Sequence, residues 1–141
     1  MMKLFFDTNV IIDALTDREN SSARSRELIG FLLSGKIEGF ICSKQVTDIY
    51  YILKKYYKDQ YEVMKFIKLI CKTFEILPLL GSDIQYCLNS DNRDFEDSIL
   101  DEVASVHMVG NIVTNNVKHF ACSKCVVYEP KDIYLLLTIE Q

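Results

Sequence analysis

Two prolines and five glycines are all that the chain contains, too few for a flexible linker. One domain, residues 1–141, around a single hydrophobic core is therefore expected. No apolar run approaches the roughly 20 residues that a membrane span needs. The first residues carry one lysine and then Asp7, which does not fit a secretory signal and makes the cytoplasm the expected location. No internal repeat or low-complexity segment is visible. The charge balance lacks a positive excess: the net charge is −4. That disfavours a general DNA binder, which rests on a basic surface, but leaves room for an enzyme that grips a short RNA segment. A disulfide framework is not expected either. The five cysteines, Cys42, Cys71, Cys87, Cys122 and Cys125, are odd in number and scattered. The first three lie in apolar patterns and read as small core residues. Cys122-Ser123-Lys124-Cys125 is a lone CxxC with His119 nearby, short of the four ligands that a zinc site wants.

What the chain does have is 49 % apolar residues in an alternating order of short runs and helical stripes. Residues 3–6 read as a first strand and Asn9 to about Thr16 as a helix. Leu28, Ile29, Leu32 and Leu33 follow at helical spacing, with Ser21 or Ser22 as the cap and Gly35 and Gly39 bracketing the exit. Gly39 to Cys42 reads as a second strand. Ser43 is a candidate cap for a helix to about Tyr57, with Val46, Ile49, Tyr50 and Leu53 on its buried stripe. A further helix runs from about Gln60 to Lys72. Phe74 to Leu77 is a third strand stopped by Pro78. Helices from Ser82 and from Asp94, the second reaching about Val109 before Gly110, precede a fourth strand at 111–114. Val126–Tyr128 is a fifth strand, and Pro130 opens a last helix, where proline is tolerated. Strands alternating with helices predict a three-layer α/β/α fold with a five-stranded, mainly parallel sheet.

In such sheets ligands bind at the carboxyl ends of the strands. Asp7 ends the first strand. Asp48 lies one turn into the helix after the second, and Asp97 in the first turn of the helix before the fourth. Gathered carboxylates repel one another unless a cation or proton offsets them, and hard oxygen donors suit Mg²⁺ or Mn²⁺. Each acid also has a structural reading: Asp7 as a helix cap, Asp48 as a solvated helix residue. Asp94-Phe95-Glu96-Asp97 reads as a capping arrangement. Asp101, one turn beyond Asp97, reads best as part of a solvated face. Thr114-Asn115-Asn116 lies at the same rim, where an asparagine amide can reach a phosphate oxygen or water or simply form a turn.

The blocks Asp7-Thr8-Asn9-Val10-Ile11-Ile12-Asp13, Asp94-Phe95-Glu96-Asp97-Ser98-Ile99 and Ile112-Val113-Thr114-Asn115-Asn116-Val117-Lys118-His119-Phe120 resemble the three main blocks of the PIN domain. Thr47-Asp48-Ile49-Tyr50-Tyr51-Ile52-Leu53 is similar to a bacterial subgroup of that family. The resemblance implies an Mg²⁺- or Mn²⁺-dependent endoribonuclease of the VapC-like type, the toxin of a toxin–antitoxin pair. It places Asp7, Asp48 and Asp97 at the three acidic positions, as metal ligands and catalytic groups. Asn116 falls at a fourth catalytic position, and Asn9 resembles the small polar residue that supports the first aspartate. Two departures stand out. Asp48 is one methylene shorter than the usual glutamate, and His119 stands where many relatives carry an acid, so weaker metal binding is expected. The implied partners are an RNA substrate, an antitoxin protein and a second copy of the chain, for which the helices around Tyr50, Tyr51, Tyr56 and Tyr57 are a candidate interface. Lys54, Lys55, Lys58 and Lys118 are candidate phosphate contacts. Two rival readings are a PIN-like module that binds RNA or protein without cleaving, and a receiver-like phosphoacceptor. The second is disfavoured because Leu77-Pro78-Leu79-Leu80 offers no acceptor aspartate after the third strand.

Overall fold

A computed structural model describes residues 1–17, 22–90 and 94–139. Five strands, β1 (Met2–Phe6), β2 (Ile37–Cys42), β3 (Glu75–Leu77), β4 (Asn111–Val113) and β5 (Val126–Tyr128), form one sheet in the order β3-β2-β1-β4-β5. Every neighbouring pair is parallel, with Leu4 opposite Gly39, Phe5 opposite Ile112, Ile41 opposite Ile76 and Ile112 opposite Val127. The helices are α1 (Thr8–Thr16), α2 (Ser22–Leu33), α3 (Ser43–Tyr56), α4 (Gln60–Thr73), α5 (Gly81–Leu88), α6 (Phe95–Val106) and α7 (Pro130–Ile139). A short 3-10 helix spans Val117–Phe120. None of the described helices is long and apolar enough to cross a membrane.

Side chains alternate across a strand, so one short apolar run serves two cores. Leu4 and Phe6 of β1, Ile41 of β2 and Val113 of β4 point into one core with Val10, Leu28, Ile49, Val63 and Ile133 from α1, α2, α3, α4 and α7. Phe5, Phe40, Cys42 and Ile112 point into the other, against Leu100, Val103 and Ala104 of α6 and Phe120 of the 3-10 helix. Burial on both faces explains why β1 reads as an unbroken apolar run rather than an alternating one. It also yields the three layers expected from the alternation of strands and helices.

Several local expectations change. Ser43 does not cap α3. It is the first helical residue, and its Oγ accepts from the Leu79 N–H at 3.1 Å. Gln45 satisfies the Cys42 N–H instead, through Oε1 at 2.7 Å. Gly39 lies within β2 and does not bracket a helix exit. A Cβ there would stand 2.8 Å from Leu32 Cδ1 and 2.9 Å from Phe74 Cδ1, so the missing side chain admits α2 and the Phe74 ring. The helix from Asp94 ends at Val106, short of Gly110, and Met108 makes the turn in the left-handed region at φ 61°. Leu33 of α2 is largely exposed. Of the two candidate caps of α2, Ser21 lies outside the described residues and Ser22 is the first residue of the helix.

Gln45 is fully buried and ties β1 to β2. Its amide donates to the Phe6 carbonyl at 2.8 Å and to Thr8 Oγ1 at 3.2 Å while accepting from Cys42. Gln45→Ala orphans a buried N–H and a carbonyl and is expected to lower the urea unfolding free energy by about 1–3 kcal/mol. A loss below about 0.5 kcal/mol, the range of ordinary surface changes, contradicts this bracing role.

Candidate active site

The order of the sheet reverses between β1 and β4: the chain builds outward to β2 and β3, then returns to the other side of β1. A crevice opens at such a switch point, outside the carboxyl ends of the strands. Here it is a cleft of about 260 Å³ whose lining includes Asp7, Asp48, Asp97 and Asn116, together with Thr8, Asn9, Lys44, Asp94, Glu96 and His119. The four residues picked out from sequence all line this cleft, although they come from distant stretches of backbone. Of them, Asp97 alone belongs to the group, among the described residues, whose ligand atoms lie within 4.8 Å of one another.

Asp7 is buried at the end of β1. It occupies the cap position of α1 but makes no side-chain cap bond there. Its Oδ2 accepts from Thr114 Oγ1 at 2.7 Å, and its N–H donates to the Val113 carbonyl at 2.9 Å. Thr114 Oγ1 in turn accepts from the Asn116 N–H at 2.9 Å. One hydroxyl therefore fixes the first acid and the rim segment carrying Asn116. Burial pushes the Asp7 carboxyl above its ordinary range, against the opposing pull of the Thr114 and Thr8 bonds.

Asp97 lies in the first turn of α6. Asp94 caps that helix by accepting from the Asp97 N–H at 3.1 Å, so the capping reading holds and Asp94 also faces the cleft. Burial first, and then the charges of Asp7 and Asp94, push the Asp97 carboxyl up to about 6. His119 opposes that shift, with Nδ1 3.0 Å from Asp97 Oδ2 and 3.4 Å from Asp94 Oδ2.

Asp48 faces the same cleft from α3 but carries a partner of its own. Lys44 Nζ donates to Asp48 Oδ2 at 2.6 Å and to Glu96 Oε1 at 3.0 Å, spanning from α3 to α6. Partial burial works against the charge on Lys44, but the two carboxylate bonds outweigh it and raise the ammonium pKa. Neither Lys44 nor Glu96 stood out in the sequence. The available signal was the i,i+4 spacing of Lys44 and Asp48, which most often marks a solvated helix face. By contrast, Lys54, Lys55, Lys58 and Lys118 are not among the residues lining the cleft, and Lys54 lies over the Tyr50 and Tyr51 rings.

Other candidates are placed elsewhere. Asp101 is buried rather than solvated. It accepts from Ser123 Oγ and from the Lys124 N–H, and so shapes the loop before β5. Asn115 donates to Asp13 Oδ2 at 2.5 Å, a bond made outside the cleft lining. Cys122 is exposed, while the Cys125 thiol is pushed up to about 11 by burial and by Asp101. Among the described residues, the group of ligand atoms close enough for one ion is Asp94, Asp97 and His119, without a cysteine.

The PIN domain model matches residues 3–118. The chain belongs to the PIN domain family. Ribonuclease VapC1 of Aquifex aeolicus (strain VF5) is 28 % identical over 143 residues, which cover 98 % of this chain and 92 % of that protein. Solved structures of the same fold include two toxin–antitoxin complexes. The VapBC2 complex of Rickettsia felis bound to a promoter DNA fragment superposes with a TM-score of 0.65 at 17 % identity, covering 91 % of this chain and 98 % of that one. A toxin–antitoxin complex from Klebsiella pneumoniae gives 0.63 at 23 % identity, covering 90 % and 97 %.

The charge arrangement of this PIN domain has a consequence for stability. A carboxyl whose folded pKa is raised binds more protons in the native than in the unfolded state between its two pKa values, so its contribution to stability falls as pH rises through that window. For Asp97 the window runs from 3.8 to about 6. In EDTA, Asp97→Asn is expected to raise the melting temperature by a few degrees at pH 7.5, and the gain should shrink as pH falls through 6 toward 4. Calorimetric scans that show a loss at pH 7.5, or a gain independent of pH, contradict the repulsion.

Proposed function

We propose that this chain is a divalent-metal-dependent endoribonuclease, the toxin of a toxin–antitoxin pair. The observation that carries the reading is the convergence of Asp7, Asp48, Asp97 and Asn116 on one cleft at the switch point of the sheet. Support comes also from a relative named as a ribonuclease and from structural relatives solved as toxin–antitoxin complexes.

The donor set fits a hard divalent cation. Asp7 and Asp97 offer oxygen donors that are largely withdrawn from water, and the charge of Asp7 raises the Asp97 pKa, a repulsion that a cation offsets. Asp7 and Asp97 are the residues we assign to hold Mg²⁺ or Mn²⁺. When bound, such an ion supplies Lewis acidity, making water more acidic and offsetting charge on the phosphoryl oxygens. The chain's own groups do the rest. Thr114 keeps the Asp7 carboxylate in one orientation through its hydroxyl. Asp48 completes the pocket and orients water for in-line attack on phosphorus, as the leaving P–O bond breaks. Asn116 assists through its amide. Lys44, held between Asp48 and Glu96, brings a positive charge to an acidic cleft that must admit a polyanion. The antitoxin is the expected protein partner. Exposed Tyr51 and Tyr56 on α3 are the surface we assign to self-association.

One observation favours the rival reading of a binding module: Lys44 already neutralises Asp48. Manganese titration by calorimetry separates the two, since retained RNA binding without Mn²⁺ binding supports the module.

Purified protein is expected to cut RNA in the presence of Mg²⁺ or Mn²⁺ and to stop on addition of EDTA. Asp7→Asn should lower the rate by at least about 100-fold, equivalent to roughly 2.7 kcal/mol of transition-state stabilisation. Equal cutting by this variant identifies a contaminating nuclease and removes the claim.

A further inference from the structure

We infer that His119 is a nitrogen ligand in this cleft and that it biases the site toward ions that accept imidazole, Mn²⁺ over Mg²⁺. The inference rests on the metal-dependent reading above and goes beyond it in naming a donor and a preference.

The placement of His119 is built into the fold. It sits in the 3-10 helix after β4, where the next residue, Phe120, is buried in the core beneath α6. Its N–H donates to the Asn116 carbonyl at 3.0 Å. The backbone is thus anchored on both sides, while the ring turns toward α6. There Nδ1 lies 3.0 Å from Asp97 Oδ2 and 3.4 Å from Asp94 Oδ2, and ligand atoms of the three residues all lie within 4.8 Å of one another. Donors in adjacent octahedral positions, each about 2.1 Å from an ion, stand about 3.0 Å apart. The spacing that serves this hydrogen bond therefore also suits two neighbouring ligands of one ion.

Chemistry then sets the preference. Mg²⁺ is held by carboxylates and water and rarely by nitrogen. Imidazole binds ions later in the first transition row more strongly, and the divalent series rises from Mn²⁺ onward. An acid at position 119 would add a charge and a third hard oxygen beside Asp94 and Asp97. Histidine gives up that charge and adds a donor that distinguishes among ions. Of the other charged groups lining the cleft, Lys44 is turned to Asp48 and Glu96, and Asp7 to Thr114. His119 is the nitrogen donor brought to Asp97 and Asp94.

The test uses the full chain, with MnCl₂ and MgCl₂ titrated by calorimetry into wild type, His119→Ala and His119→Asp, and with pulsed electron paramagnetic resonance of the Mn²⁺-loaded protein. The expected result is a ¹⁴N coupling from a directly bound ring in the wild type that is absent in both variants. Loss of the ring should weaken Mn²⁺ binding by at least about 10-fold while Mg²⁺ binding changes much less. An outer partner of a metal ligand is itself worth about 10–100-fold, so the ¹⁴N coupling is what separates a direct ligand from such a partner. His119→Asp should bring the two affinities closer together. Mn²⁺ binding without ¹⁴N coupling, or an equal loss for both ions in His119→Ala, overturns the inference and leaves the metal-dependent reading standing. Wild type that binds neither ion overturns both.

Discussion

The hydrogen bond from Thr114 to Asp7 joins the carboxyl ends of the two central strands, and the cleft takes its shape from it. Desolvation favours the neutral form of the Asp7 carboxyl, and a hydrogen-bond donor opposes that shift. Thr114 supplies that donor from the adjacent strand end, and the same oxygen anchors Asn116. The Asp7 N–H to Val113 carbonyl bond continues the β1–β4 ladder one residue past the strand. On the other side of β1, Gln45 closes the gap to β2. The first acid is therefore held from both neighbouring strands, and α3 and α6 bring the remaining groups to a point already fixed.

Charge in the cleft is balanced locally rather than by the whole surface. A chain with a net charge of −4 concentrates several carboxylates in one crevice, and two side chains relieve the crowding from opposite sides. Lys44 takes Asp48 and Glu96, while His119 takes Asp97 and Asp94. Both cost flexibility, since each must hold its side chain between two acids from other turns of the fold. The pairing divides the acids into a half already matched with a permanent cation and a half whose repulsion is only partly relieved, where Asp97 is still pushed up to about 6.

Much of this was legible from the residues alone because the chain punctuates itself. Short apolar runs, four ended by polar residues and the third by Pro78, identify the five strands, and Asp94 and Pro130 stand where the helices α6 and α7 begin. Asp7, Asp48 and Asp97 follow strands or lie in the opening turns of helices, so their placement along one cleft was predictable from the fold class. Strand order was not, since periodicity reports which face is buried and not which strand lies alongside. The end of α6 was misplaced because a left-handed conformation at Met108 is not announced by its residue type, whereas Gly110 is an obvious candidate. Lys44 and Asp101 were missed for a shared reason. A charged side chain on a helix is usually solvated, and only the approach of α6 to one and of the Ser123 loop to the other makes them internal partners.

The two outermost strands, β3 and β5, are three residues each, and Pro78 follows the first directly. Strands this short offer little unpaired backbone to a foreign strand. The sheet thereby offers little edge for growth at its margins, which leaves the helical faces and the cleft as its broad surfaces for contact.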